Sequence, residues 1–282
     1  MARPNVVRRT LVWWFGPPNN PYVTANFVVD VTHARAWLVR INAQAEPRVS
    51  LNHLVAAAIG RTLRAHPYAN GRVIGQRIVL HDSVGIAMPV NLLGSAAADR
   101  ELSMTSVERV ETLTVRQLAE RTSRRLLDER RGQPVHPLIK PIFRIGEAAP
   151  HTLFKVALHA LDRAANTSYV GDVFYRSMGV TTALSNVGAA IRPGDGVWFR
   201  GADVQLPNRL VQVGTFWGTS VVQDEVVPVD GVPAVRPMLP ALFIFDHRLI
   251  DGVRAAKVIQ SFADVLRDPG AAFGDGDRPI GA

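Results

Sequence analysis

The sequence predicts one mixed α/β domain, and three observations point to it. Apolar residues switch repeatedly between period two and helical spacing along the chain. No internal repeat and no linker divides the 282 residues, a length that can bury a large core. Near the end, the apolar run Leu242-Phe243-Ile244-Phe245 reads as a buried strand. It leads through a polar loop into Val253 to Leu266, whose apolar residues recur at helical spacing.

Taken in order, residues 1–19 read as an N-terminal arm and Tyr22 to Val31, rich in Val, Phe and Thr, as a strand. Thr32 is placed to cap a helix from His33 to Ala45, which Pro47 breaks. A second helix starts at Ser50, carries Leu51, Leu54, Val55, Ala58, Ile59 and Leu63 on one face, and ends before His66-Pro67. Arg72 to Leu80 and Ser83 to Val90 read as two strands of a hairpin turning at Asp82. Ser103 to Arg131 reads as largely helical, and prolines at 134, 137 and 141 then chop the chain. Ala149 to Ala165 and Thr167 to Met178 read as apolar helices that form core or line a tunnel. Strands follow at Val180 to Leu184, Trp198 to Gln205, Leu210 to Val222 and Pro237 to Phe245, with turns at Gly194-Asp195-Gly196 and Asp230-Gly231. From Asp268 to the end, Gly, Asp and Pro predict a loose tail.

Composition removes several function classes. The chain has no cysteine, which excludes disulfides, thiolate metal sites and a cysteine nucleophile. No apolar run is long enough to span a membrane, and the first residues lack the apolar core of a signal peptide, so a cytoplasmic location is expected. The net charge of +8 invites a nucleic-acid reading, but the arginines are scattered and not interleaved with aromatics. The densest cluster, Arg121 to Arg131, reads as a solvated helix face or as a surface attracting an anionic carrier. No nucleic acid, membrane, metal or resident cofactor is expected.

Chemistry concentrates in Asp246-His247-Arg248-Leu249-Ile250-Asp251-Gly252. A histidine at the exit of a buried strand is held by rigid structure while it faces a cleft, which suits an imidazole acting as general base. The competing reading of such a residue is a surface histidine in a polar turn. Asp251 has a similar pair of readings, an organiser of the histidine loop or a helix N-cap. Gly252 reads as the residue that lets the chain turn tightly. His159 lies among apolar residues and reads as a core histidine. Trp13-Trp14-Phe15 and Phe216-Trp217 read as packing or as a channel wall.

Four stretches, in order, resemble the catalytic domain of the dihydrolipoyl acyltransferases of 2-oxo acid dehydrogenase complexes, a fold shared with chloramphenicol acetyltransferase. They are Asn20 to Val31; Val49 to Asn70 with the hairpin strand ending Val84 to Val90; Ala183-Leu184-Ser185-Asn186-Val187-Gly188; and Asp246 to Gly252, which matches the family's Asp-His-Arg-x-x-Asp-Gly at every fixed position. The resemblance implies a chloramphenicol acetyltransferase-like mixed sheet with helices, assembled as a homotrimer with the active site between subunits. It implies His247 as general base, Ser185 as the donor that stabilises the oxyanion, and Asp251 as the residue ordering the loop, with Arg8 or Arg9 as its partner. It implies an acyl thioester of coenzyme A or of a carrier protein as cosubstrate.

The sequence also departs from the family. About twenty residues precede the first core strand, too few for a lipoyl or subunit-binding domain, so a substrate tethered to the same chain is not expected. Asn91-Leu92-Leu93-Gly94 stands where the family has Gly-Leu-hydrophobic-Pro, and residues 92–179 are longer and more helical than the family's. The expectation is a stand-alone enzyme moving a short acyl group, acetyl first, to a small-molecule hydroxyl in natural-product synthesis of the tetronate kind. The alternatives are a lipoyl-dependent acyltransferase served by a separate lipoyl protein and a non-catalytic trimeric scaffold.

Overall fold

A computed structural model describes residues 20–44, 46–91, 102–131, 150–188, 196, 200–201, 203–206 and 212–282. Strand β1 (Tyr22–Asp30) leads into helix α1 (Thr32–Gln44). Thr32 is already helical, so the end of α1 is tied by Asp30, whose carboxylate accepts from the Thr32 backbone N–H at 2.8 Å and its hydroxyl at 2.6 Å. Helix α2 (Leu51–Ala65) begins as its sequence signals require. Ser50 accepts from the His53 N–H while the His53 ring accepts from the Ser50 N–H, which satisfies two otherwise unpaired donors.

Residues 71–80 are not one strand. They form a tight hairpin of β2 (Gly71–Ile74) and β3 (Arg77–Leu80), turning at Gly75 with φ +60. Buried Asn70 closes its base by donating to the carbonyls of His81 and Ser83. Strand β4 (Ile86–Asn91) therefore pairs elsewhere, with β5 (Leu102–Val107), where the sequence suggested helix. Helix α3 (Val115–Arg130) starts only at its Thr114 cap. Helices α4 (His151–Ala165) and α5 (Ser168–Met178) form as expected. Strands β6 (Thr182–Asn186), β7 (Thr215–Thr219), β8 (Gln223–Val229) and β9 (Val232–Asp246) complete the sheet, and α6 (Gly252–Arg267) and α7 (Pro269–Phe273) close the chain. Trp198 to Gln205 is not a strand among its described residues, and β8 with the first part of β9 forms a hairpin arm around the expected Asp230-Gly231 turn, its two strands beyond those expected.

The main sheet has the order β1-β9-β7-β6-β4-β5, with β8 beside the far part of β9. The β4–β6 and β6–β7 pairs are parallel and the others antiparallel. Side chains alternate across it. Leu184, Trp217, Leu239, Phe243 and Phe245 join the helix-covered core with Leu54, Ile59, Leu63, Val258 and Phe262. Trp217 is buried against Phe243 and Phe262, so it packs and lines no channel. Ala183, Phe216, Leu242 and Ile244 form a smaller cluster on the opposite face.

The C-terminal residues are docked, against the expectation of a loose tail. Asp268 caps α7, Phe273 and Ile280 are fully buried, and the N–H groups of Ile280 and Gly281 bind the carbonyls of Leu113 and Glu111. Two apolar anchors outweigh the Gly/Asp/Pro composition around them. Helix α4 errs the other way: Leu153 and Val156 are exposed and His159 is exposed too, its Nδ1 2.8 Å from the Lys155 carbonyl. Among the described residues no helix is long and apolar enough to cross a membrane.

Candidate active site

His247 stands in a turn just past the end of β9, partly buried, with its ring 6.2 Å from that of Phe245. Its backbone N–H donates to the Pro21 carbonyl at 2.8 Å, so the start of β1 holds the base in place. The residues on either side form a buried ion pair. The Arg248 Nε lies 2.9 and 3.1 Å from the two Asp246 oxygens, and its Nη2 lies 2.6 Å from Oδ2. Asp246 Oδ1 also accepts from the Arg248 N–H, and the Asp246 carbonyl accepts from the N–H groups of Leu249 and Ile250. A bidentate pair that also satisfies the turn backbone is the geometry in which two buried charges compensate each other.

Asp251, given the loop-ordering role above, has the described contacts of a helix cap. It accepts from the Arg254 N–H at 2.9 Å, and its Oδ2 lies 3.9 Å from Arg254 Nε. Among the described residues, Asp246 and Arg248 also tie the loop; an Asp-x-Arg spacing in a turn leaving an apolar strand is the sequence signal for it. Arg8 and Arg9 lie outside the described residues, as do Trp13-Trp14-Phe15 and most of the Gly194-Asp195-Gly196 turn. Gly252 has an ordinary backbone and open space where a Cβ would stand, so it is not required for a tight turn.

Ser185 lies on β6, level with Gly218 of β7, which is level with Leu242 of β9. It shares the face of Ala183, Phe216 and Leu242, away from the helices. Beside it is a recess lined by Val187, Val204, Phe216, Pro240 and Leu242, almost wholly apolar, of about 370 Å³ including its open mouth. Phe216 thus does line a cavity, unlike its neighbour Trp217. The next turn is shaped by Asn186, whose Oδ1 accepts from the Gly188 N–H at 2.6 Å and whose Nδ2 donates to Asn52 at the start of α2.

Within one chain the two candidate catalytic residues stand apart. His247 is five positions beyond Leu242 and Ser185 is level with Leu242. At about 3.3 Å per residue that is roughly 16 Å along the strands, before the two strand spacings between β6 and β9 are added. One carbonyl cannot meet both groups of the same chain.

A further polar cluster packs behind the histidine loop. Partly buried Tyr22 donates to the Val213 carbonyl at 3.0 Å, and its hydroxyl is pushed above the ordinary tyrosine range by burial and then by the Asp246 carboxylate. Arg72 is 2% exposed in β2 and makes no ion pair among the described residues. Its guanidinium is brought down to about 10 by burial. The His81 imidazole beside it is brought down to about 4, by burial and then by the Arg72 charge. A lone arginine in the apolar run Val73-Ile74 was a visible signal that the sequence reading did not use.

Known proteins extend these observations. The model of the 2-oxoacid dehydrogenases acyltransferase (catalytic domain) matches residues 18–135 and 212–273. A curated relative, the dihydrolipoyllysine-residue acetyltransferase component of the acetoin cleaving system of Bacillus subtilis (strain 168), is 23% identical over 259 residues. They make up 90% of this chain and 51% of the relative, so the chain spans about half of that relative's length. The dihydrolipoamide acetyltransferase of Azotobacter vinelandii is 19% identical, with a TM-score of 0.62 over 94% of this chain and 87% of that one. A chloramphenicol acetyltransferase structure is 15% identical, with a TM-score of 0.54 over 93% of this chain and 96% of that one. The fold is therefore the chloramphenicol acetyltransferase-like α/β fold inferred from the motifs. Since the matched segments cover most of the chain, including the whole histidine loop, the chain belongs to the 2-oxoacid dehydrogenase acyltransferase (catalytic domain) family.

Proposed function

We propose that this protein transfers a short acyl group from a thioester donor to a thiol or hydroxyl acceptor, in a homotrimer whose active sites pair His247 of one subunit with Ser185 of another. His247 removes the acceptor's proton as its sulfur or oxygen attacks the thioester carbonyl. The Ser185 hydroxyl donates to the oxygen that becomes negative. The tetrahedral intermediate then collapses, the carbon–sulfur bond breaks, and the departing thiolate takes the proton from the imidazolium. Acyl group, proton and electron pairs balance with no further reactant.

The observation that carries this reading is the histidine loop. A buried Asp246–Arg248 pair and the Pro21 carbonyl fix His247 at a strand exit, inside a segment matched by the family model. The separation of Ser185 from His247 within the chain supports the intersubunit site.

For the acceptor, the curated relative's lipoyl-bearing substrate favours a dihydrolipoyl group presented by a separate protein. A second reading is a small-molecule hydroxyl of the natural-product, tetronate-like kind, with coenzyme A or a carrier protein as donor. It is favoured by residues 136–211, which the family model leaves unmatched and which carry α4, α5, Ser185 and one wall of the apolar recess. Turnover of acetyl-CoA measured by mass spectrometry, with dihydrolipoamide in one arm and a panel of hydroxyl acceptors in the other, separates the two. His247→Ala is the control for both. Unchanged turnover in that variant sinks the mechanism, and no turnover by the parental protein in either arm leaves a non-catalytic scaffold.

A further inference from the structure

Arg72 occupies an unusual position for a cation. It lies in a strand whose four residues are all buried, and its contacts are with neutral groups. Its Nε donates to His81 Nε2 at 3.0 Å, so His81 carries its own proton on Nδ1. Its Nη1 donates to the Gln212 carbonyl at 2.8 Å and its Nη2 to the Val180 carbonyl. The Tyr175 ring of α5 covers the guanidinium, with Cζ 4.3 Å from the ring centroid. Placing a cation in this environment costs free energy, which raises the question of what the contacts hold in place.

The two carbonyls lead into β6, which carries Ser185, and into β7, which lies between β6 and the β9 strand that ends at the histidine loop. Val180 stands two residues before β6, the strand of Ser185. Gln212 begins the segment Gln212-Val213-Gly214 that enters β7. Each carbonyl of that segment is taken. Arg72 holds Gln212, the Tyr22 hydroxyl holds Val213, and Gly214 accepts the Asp246 N–H at 2.9 Å, one residue before His247. Gly214 runs so close to Gly71 that an added Cβ would fall on the Gly71 carbonyl oxygen, so the segment is seated directly on the strand that carries Arg72.

We propose that Arg72 is a positioning residue for acyl transfer, its one guanidinium setting both the Gln212–Gly214 segment under the histidine loop and the start of the Ser185 strand. The proposal rests on the assignment of His247 and Ser185 above. It also gives α5 a role: Tyr175, from the stretch unmatched by the family model, closes the cation's site. Ser185 and His247 of one chain serve different active sites in the trimer, so Arg72 links the geometry of two neighbouring sites.

The test uses the full-length oligomer with acetyl-CoA and dihydrolipoamide as probe substrates. Arg72→Lys keeps the charge but cannot span both carbonyls. It is expected to lower kcat about tenfold or more, because small misplacements of catalytic groups are that costly, with KM for acetyl-CoA within about twofold. Amide exchange is expected to quicken in peptides covering residues 180–186 and 244–249 and to stay unchanged in α1. If Arg72→Lys does not fold, His81→Leu removes one acceptor of the guanidinium while His81→Gln keeps one, and kcat is expected to fall in the first and recover in the second. A folded Arg72→Lys with parental kcat and unchanged exchange at 244–249 overturns the proposal, as does equal kcat in the two His81 variants. Full activity in His247→Ala would instead overturn the catalytic assignment on which it rests.

Discussion

The two ends of the sheet that carry the candidate catalytic residues are built differently. At the exit of β9, His247 is bracketed by a buried ion pair and matched by the family model. At the end of β6, Ser185 opens onto an apolar recess, outside the matched residues. Proton transfer to a base needs the same geometry whatever the acceptor, so the His247 end is rigid and shared. Acyl and acceptor groups vary, so the recess wall carrying Val204, outside both the matched residues and the Ala183 to Gly188 stretch, is where this chain has its own residues. Arg72 touches the approaches to both ends, which is how a divergent wall and a shared base keep a common register.

The largest expected effect falls on the shared end. His247→Ala should lower kcat by ~10²–10⁴-fold, read by mass spectrometry of acetyl-CoA turnover, with the melting temperature little changed. Ser185→Ala should cost ~10²-fold or more in kcat, the loss of one oxyanion donor. If it instead raises KM alone, Ser185 belongs to the recess and not to the transition state.

Asp246→Ala tests rigidity without removing either catalytic group. It leaves Arg248 buried without its carboxylate and should destabilise the protein by about 3–5 kcal/mol, measured by urea unfolding. A loss below 1 kcal/mol would mean that the histidine loop is not held by this pair. A pH titration of stability probes the Arg72 end. His81 is held neutral in the fold at a value of about 4, below its ordinary 6.5. Its depressed value means that the unfolded chain takes up the proton first as pH falls. The contribution is therefore complete above pH 6.5 and is lost on acidification toward pH 4, about 3 kcal/mol in all. His81→Gln should flatten that limb. Asp251→Ala should have the smallest effect, about 1 kcal/mol of stability from a lost helix cap. A loss of activity comparable to that of His247→Ala would show that Asp251 also orders the histidine loop.

Where sequence and structure agree, the signals are local. Ser50, the spacing of Leu51 to Leu63 and the break at His66-Pro67 define α2 almost to the residue, because capping and helical periodicity act within a few positions. The histidine loop was legible for the same reason, its strand, turn and helix being contiguous. Errors arose where distant partners decide. Residues 102–107 become a strand because β4 offers an edge, and nothing in their own composition records that neighbour. The last residues dock because Phe273 and Ile280 find a buried place beneath a polar exterior. The Asp246–Arg248 pair is written in the motif, but their pairing depends on the turn geometry and not on residue type alone. The described contacts of Asp251 are those of a helix cap, and its expected partners Arg8 and Arg9 lie outside the described residues.

The central claim is that each active site takes its base and its oxyanion donor from different subunits. Co-folding equal amounts of His247→Ala and Ser185→Ala chains tests it directly. In a cyclic trimer assembled at random, one interface in four joins an intact His247 to an intact Ser185, so about a quarter of parental turnover should return. If the mixture is as inactive as either variant alone while it sediments as a mixed trimer, the intersubunit site is contradicted.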